Sequence, residues 1–284
     1  MKHYILLLLI AVSFCSCRSS RSMQKELNGM RSNLFYELIS QEYTGKVKDS
    51  IYLDFIDYSN TDYYSTIKRK GGFFIPLIIF NRQQDRFRTR LGEHSLSQLY
   101  REFLTDALLT ECNSSTCFQL IDNKDNQVPT DSVYRLEVKV RQNETTGGVV
   151  LNESGFIWFE GGYITLQSAR YRPAQTQLSI SIRFSHHGDC LLDKTYNVKH
   201  KQSRRDRNYE DSYAANQGCL DDMAECLSLA TREIVEEISQ ELNLLMSARE
   251  PIIHYTQSIH YHSDRPCTIT ILHSYYKKDL KQSK

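Results

Sequence analysis

Hydrophobic and polar residues alternate along three stretches of the chain, 50–58, 132–142 and 177–184. Because successive side chains of a β-strand point to opposite faces, this spacing predicts strands with one buried face. The last stretch leads into His187-Gly188-Asp189, which we interpret as the exposed turn of a hairpin. A further hairpin is predicted around Glu160-Gly161-Gly162, between the second and third stretches.

Two other stretches repeat their hydrophobic residues at helical spacing. In the first, 92–112, the apolar residues fall on one stripe, and Ser95 and Gln98 fit the pattern of a capping box. The second runs from about Cys219 to Ser247 and also has one apolar side. The apolar stripe of the first helix is expected to pack against a sheet.

The N-terminus has the order of residues that is typical of an export signal. Lys2 and His3 precede an apolar run from Tyr4 to Val12, and polar residues follow at once. A transmembrane helix needs about 20 predominantly apolar residues, so this run is too short to span a bilayer.

The pair Ser16-Cys17 resembles the lipobox of bacterial lipoproteins, although Phe14 replaces the leucine that is usual at that position. The resemblance implies removal of residues 1–16, including Cys15, and covalent attachment of a diacylglyceryl lipid to Cys17. Several acyl chains anchor a protein stably, whereas one chain binds reversibly. An ordinary secretory signal with incidental cysteines is the alternative. A metal pair is less favoured, because nothing nearby supplies further ligands.

The residues that follow Cys17 bear on the location of the mature chain. The run Arg18–Ser22 contains no acidic residue. By the same resemblance, acidic residues near a lipidated cysteine favour inner-membrane retention or surface display. We therefore expect a mature chain anchored on the periplasmic face of the outer membrane.

Charge and motifs exclude several function classes. The chain has 35 basic and 34 acidic residues, a balance that does not indicate a nucleic-acid partner. It lacks GxSxG, HExxH, phosphate-loop and dinucleotide-binding motifs. We therefore expect no catalytic residue, no enzyme activity and no cofactor apart from the lipid at Cys17.

The C-terminal histidines support an alternative function. His254, His260 and His262 share one face of an extended segment. Six residues of strand span about 20 Å, so only His260 and His262 are close enough to share an ion. A periplasmic metal-binding protein or hydrolase that uses these histidines is therefore the competing hypothesis, and a polar sheet face is favoured over it.

Six cysteines remain after Cys15 and Cys17, and an oxidising compartment permits disulfides between them. Cys112 and Cys117 are the best local pair, because residues 113–116 form a predicted polar turn, and the bond would contribute about 2 kcal/mol. Cys219 and Cys226 are seven helical residues apart, about 10.5 Å, which is too far for a disulfide.

Two glycine-flanked segments, 71–80 and 155–159, are more apolar than a surface loop needs. If they are exposed, they predict a contact surface for a partner or a lipid, and filling of the core is the alternative. The candidate contact residues are Phe73, Phe74, Ile75, Pro76, Leu77, Phe156, Trp158 and Phe159.

The order of these elements behind a lipidated cysteine resembles small periplasmic lipoproteins of envelope transport machines. These are the lipopolysaccharide-assembly lipoprotein and the auxiliary lipoproteins of ABC-type lipid transporters. The similar motifs are the helix "SLSQLYREFLTDALL" with "FQLID", the strand "QLSISIRF" with its hairpin, and the helix "LATREIVEEISQEL". The resemblance implies an α+β fold, with an antiparallel sheet, two main helices on one face, an inserted hairpin and C-terminal extended segments.

We therefore expect four parts of the chain: a signal peptide (1–16), a membrane tether with an N-terminal segment (17–47), an α+β domain (48–250) and an extended tail (251–284). The implied function is that of a non-catalytic accessory or binding subunit. Its partners would be the outer membrane, through the lipid, and an envelope protein complex for assembly or lipid transport.

Overall fold

The computed structural model of the 284-residue chain describes nine ranges of residues. They are 29–47, 49–58, 63–75, 78–92, 95–123, 133–157, 163–203, 208–209 and 212–248. The elements, in chain order, are β1 (Asp49–Leu53), β2 (Tyr63–Ile75), β3 (Ile78–Arg90), α1 (Tyr100–Ser115), β4 (Phe118–Asp122), β5 (Tyr134–Ile157), β6 (Tyr163–His186), β7 (Asp189–Lys201), β8 (Asn208–Tyr209) and α2 (Ser212–Ser247).

The strands of the described residues form one eight-stranded sheet around β5 and β6. These two 24-residue strands pair from Tyr134 opposite His186 to Ile157 opposite Tyr163, with two register shifts. β6 pairs along one edge of β5. Along the opposite edge, β1 pairs with the start of β5 and β3 pairs with its second half. β2 continues the sheet beyond β3, and β4 continues it beyond β1.

The α+β class is confirmed, but the sheet is mixed, so the prediction of an antiparallel sheet is wrong at β1. β1 runs parallel to both β4 and β5, and the other strand pairs are antiparallel. A parallel pair requires a long crossover connection. The chain between β1 and β4 provides it, because it contains the β2–β3 hairpin and α1.

The core lies between the sheet and a layer of two helices. α2 packs against β5, β6 and β7 and against α1, which packs on β4. Fully buried side chains come from every layer of this body. Examples are Ile51, Tyr100, Leu104, Leu108, Leu136, Ile180, Phe184, Leu227, Ile234 and Ile238. Each buried Leu, Ile or Phe contributes about 1.5–3 kcal/mol relative to an exposed position.

The first helix begins later than its capping pattern predicts. α1 starts at Tyr100, its N-cap residue is Leu99, and no side chain caps it. Gln98 instead donates a hydrogen bond to Asp106 Oδ2 at 2.8 Å, while Ser95 is buried before the helix. The capping-box prediction is therefore wrong, although the apolar stripe does face the core.

Residues 29–43, here called the N-terminal strap, pack across the helices. Met30 is buried, and Ser32 exchanges backbone hydrogen bonds with the segment before α1. The strap also bonds to α2, because Ser32 Oγ donates to Asp221 Oδ1 at 2.8 Å and the Phe35 N–H donates to Ser228 Oγ at 3.1 Å. The strap is therefore part of the folded body.

Both predicted hairpins are confirmed. Ile157 pairs with Tyr163 across the connection 158–162, and His186 pairs with Asp189 across a two-residue turn. His187 and Gly188 have φ angles of 51° and 82°. Two positive φ angles are typical of the primed turns that suit the twist of a hairpin.

Several predictions fall on residues outside the described ranges. They concern the export signal, Cys17, the C-terminal tail with His260 and His262, and four of the apolar contact residues, Pro76, Leu77, Trp158 and Phe159. Among the helices that the structure describes, none has the length and apolar character needed to cross a membrane.

Candidate binding surface

The long strands β5 and β6 pass through two different surroundings. In the body, residues 134–140 of β5 and 180–186 of β6 pair beside β1 and β7. Farther along, residues 145–157 and 163–172 join β2, β3 and the two-residue strand β8, which pairs with Ala169 and Arg170, in a region here called the outer sheet. No described side chain of β2 or β3 belongs to the buried core.

Gly147 shows which face of the outer sheet is turned to the helices. A Cβ atom on Gly147 would lie 2.7 Å from Met223 Sδ and 2.9 Å from Cys219 Sγ, so this position faces α2. Because side chains alternate, positions 148, 150, 152, 154 and 156 of β5 lie on the opposite face. The register then places even positions of β3 and β6 and odd positions of β2 on that same face.

This face, here called the arginine face, carries seven arginines and one acidic residue, Glu144, at its positions in β2, β3, 144–156 and 164–172. The arginine positions are 69, 82, 86, 88, 90, 170 and 172. The helix-side positions of the same strands carry Lys68, Lys70, Asp85 and Glu153, and Lys68 is in register with Asp85. The charge of the outer sheet is therefore concentrated on one face.

Described side chains confirm this assignment of faces. Arg172 donates a hydrogen bond to Gln84 Oε1 at 2.7 Å across β5. An open groove of about 420 Å³ lies on the face, and all of its lining residues occupy arginine-face positions. They are Phe80, Arg82, Asn152, Ser154, Leu166, Ser168 and Arg170. The groove therefore combines cationic, amide, hydroxyl and apolar groups.

The register also brings the two predicted apolar segments to one end of the outer sheet. Phe73 pairs with Phe80, and Ile75 pairs with Ile78, which in turn pairs with Phe156. Phe74 holds a position of the opposite face. Ile78 and Leu166 are exposed, by 42% and 70%. The side chains of Phe73, Phe74, Ile75 and Phe156 lie outside the described part of the structure, so the contact-surface hypothesis stays a prediction.

Sequence reasoning did not find the arginine face. Arginine occupies every second position in "RFRTR", at 86, 88 and 90, and again in "RYR", at 170 and 172. Alternation of one charge along a strand is a detectable signal. The grouping of these two stretches depends on the pairing of β3 with β5 and of β5 with β6.

A buried carboxylate lies away from this surface, where the strap crosses the helices. Glu111 of α1 is fully buried, and it accepts hydrogen bonds from Tyr36 Oη at 2.8 Å and Ser115 Oγ at 3.2 Å. Burial and the bond to Glu111 raise the pKa of Tyr36 above its usual range, which keeps the phenol protonated. Burial also raises the pKa of Glu236, with Arg232 opposing it. This group joins the strap to the helices.

The structure weakens the prediction of a disulfide, because Cys112 and Cys117 are both free thiols there. The polar turn expected between them is the last turn of α1, which continues to Ser115 and directs Cys112 into the core. Cys219 and Cys226 are free, buried thiols as well. Burial raises the pKa of Cys219 to about 12 and moves the pKa of Cys112 upward too, so both are thiols at neutral pH.

Metal ligation has no candidate within the described part of the chain. No three His, Cys, Asp or Glu side chains there are grouped so that they could hold an ion. The alternative site at His260 and His262 lies outside the described residues, as does the lipid attachment residue Cys17.

Comparison with known proteins identifies no family. No family model matches the chain, and no curated protein matches it. Among solved structures, the chain is similar to the crystal structure of protein XCC0632 from Xanthomonas campestris, family model DUF330. That likeness covers 77% of this chain and 97% of the other at 10% identity, with a TM-score of 0.41. This value is too low to support an argument about fold family or function.

Proposed function

We propose that the protein is a membrane-anchored, non-catalytic binding subunit of an envelope assembly or lipid-transport system, with the outer sheet as its contact surface. The observation that carries the proposal is the arginine face, which ends in exposed apolar residues. Arginine guanidiniums remain protonated and bind phosphate and carboxylate groups in a bidentate manner.

The chemistry of the groove favours binding over catalysis. Its lining residues are arginine, asparagine, serine, leucine and phenylalanine, without a carboxylate, imidazole or thiol. A general base needs a group whose pKa lies near the working pH. The groove lining contains no such group, whereas its fixed cations and apolar surface suit recognition.

The proposed anchor keeps this surface close to a membrane. We assign the lipid to Cys17 and the location to the periplasmic face of the outer membrane. Residues 18–28 separate Cys17 from the first described residue, Gly29. A fully extended chain gains at most about 3.6 Å per residue, so this tether reaches about 40 Å. The body therefore stays within a protein diameter of the bilayer.

Site-specific photo-crosslinking in the native membrane tests the contact surface. Leu166 of the outer sheet and Leu244 of α2 are each 70% exposed, so they form a matched pair of positions. We expect a crosslinker at Leu166 to capture an envelope transport or assembly protein, and a crosslinker at Leu244 to capture none. Identical adducts at both positions, or none at Leu166, would contradict the proposal.

Metabolic labelling with palmitate tests the anchor. The lipobox predicts that the wild-type chain and Cys15→Ala incorporate the label, because Cys15 is removed with the signal peptide and Cys17 carries the lipid. Cys17→Ala is expected to lose the label and to release the chain from the membrane fraction. Unchanged labelling of Cys17→Ala would disprove the assignment.

A further inference from the structure

We propose that the arginine face docks the protein on a bilayer surface that carries anionic phospholipid headgroups. The inference rests on the proposed function and deepens it, because it names the chemistry that the contact surface binds. Arg82, Arg170 and Arg172 supply the described cationic groups, and Phe80, Ile78 and Leu166 supply the apolar end.

The charge of the face selects an anionic partner. Seven arginines and one acidic residue, Glu144, occupy its positions, while the opposite face carries two lysines and two acids. The whole chain is nearly neutral, at +1. The positive potential is therefore a local property of this face, and the planar guanidinium group suits phosphate oxygens.

The apolar end favours a bilayer over an acidic protein. An acidic protein surface would account for the arginines, but it would leave the exposed Leu166 and Ile78 without an apolar contact. A bilayer presents phosphates and acyl chains at adjacent depths, and docked segments bury their apolar face by about 5–10 Å. Arg82 lies two residues from Phe80, about 7 Å along β3, so cationic and apolar groups are neighbours on the docking face.

The size of the groove favours docking on a surface over enclosure of a lipid. Its volume is about 420 Å³, and it opens on the face of a sheet. Ligand pockets of about 300–1,000 Å³ bury most of a small molecule by surrounding it. A groove on an open sheet contacts a headgroup from one side only, so the rest of the lipid stays in the bilayer.

The single tryptophan provides a natural probe of docking. Trp158 directly follows Ile157, the last residue of β5, in the sequence. The full chain is reconstituted into vesicles of phosphatidylcholine alone or of phosphatidylcholine with phosphatidylglycerol. We expect a blue shift of Trp158 emission, and quenching by brominated acyl chains, in the anionic vesicles only, and we expect high salt to reverse both.

Two matched triple variants distinguish the loss of charge on the arginine face from the loss of the same charge elsewhere. Arg82→Ala/Arg170→Ala/Arg172→Ala removes three cations of the arginine face. The control, Arg183→Ala/Lys199→Ala/Lys201→Ala, removes three exposed cations of the body. We expect the first variant to lower the ratio of docked to undocked protein on the order of a hundredfold, about fivefold per arginine. The control is expected to respond like wild type.

A single substitution keeps the test independent of folding. Arg82→Gln changes one exposed side chain and is expected to lower the docked ratio about fivefold. Circular dichroism and thermal unfolding verify that each variant is folded.

An equal blue shift in neutral vesicles, or equal responses of the two triple variants, would overturn the inference. Retention on an acidic protein without any vesicle response would also overturn it and would assign the face to a protein partner. Neither result would affect the crosslinking or palmitate experiments, so a failure of this inference is distinguishable from a failure of the proposed function.

Discussion

The two halves of β5 and β6 show how one pair of strands serves two purposes. In the body, Leu136 and Phe184 face the helices and are fully buried. In the outer sheet, Leu166 and Arg170 of β6 are exposed. In the body, alternation therefore places one face of the strands in the core and the other in solvent. In the outer sheet, it places the arginine positions on one face, and on the other face two lysine and two acidic positions whose charges cancel.

The difference is that the two regions are stabilised by different interactions. The body gains stability from apolar area that is removed from water beneath α1 and α2. The outer sheet relies on backbone pairing over long registers, such as the 12 residue pairs between β3 and β5. No described side chain of β2 or β3 belongs to the buried core, in contrast to those of the body.

The largest expected effect comes from truncating a leucine in each region. Leu136→Ala removes a fully buried side chain and leaves a cavity, at a cost of about 2–5 kcal/mol. Leu166→Ala removes a side chain that is mostly solvated, so its cost should stay within about 0.5 kcal/mol. Urea unfolding of the two variants measures both values. Similar losses would show that the outer sheet is packed like the body.

An intermediate effect is expected at the boundary between the regions. Gly147→Ala places a methyl group within 3.0 Å of Met223 and Cys219, whereas Gly71→Ala meets nothing within 4 Å. Overpacking costs about 1–3 kcal/mol, and the flexible Met223 side chain favours the lower end. Thermal unfolding should show a lower melting temperature for Gly147→Ala only. No difference between the variants would place the helices away from this junction.

The smallest effect is the pH dependence of stability that two carboxylates of α2 are expected to cause. Burial acts to raise the pKa of Glu241, but hydrogen bonds from Lys194 Nζ and Tyr196 Oη outweigh it and lower the pKa. Glu241 therefore contributes stability above its unfolded pKa of 4.5, and this contribution is lost as the pH falls through the folded pKa. Glu241→Gln should remove up to about 1 kcal/mol at neutral pH.

Glu236 provides the control with the opposite sign. Burial raises its pKa, so its charged form opposes folding, and stability falls as the pH rises above 4.5 towards the folded pKa. Glu236→Gln should therefore remove a loss of stability that occurs as the pH rises, whereas Glu241→Gln should remove a gain of stability. Unfolding measured across the acid range checks both signs.

Local patterns predicted much of the body. The strand periods in β1, β5 and β6, the turn at His187-Gly188 and the helical stripe of α2 depend on neighbours in the chain. The errors occur where distant residues compete with local preference. Phe55 continues the alternation of β1 in the sequence, yet the strand ends at Leu53. Phe55 is exposed beneath the Arg101 guanidinium, 4.1 Å from its ring centroid.

The sequence by itself determined the main helices and strands, because the period of apolar residues depends on neighbours in the chain. The α+β class and the expectation of a lipid anchor came from the resemblance of its motifs to known lipoproteins. Only the tertiary structure decided that β1 is parallel to β4, that Cys112 is buried as a thiol and that arginines of β3 and β6 share one face. Strand pairing joins residues about 90 positions apart, such as Arg82 and Arg170, through register. The alternation along one strand shows which of its residues share a face. Pairing with the partner strand decides which other residues lie beside them on that face.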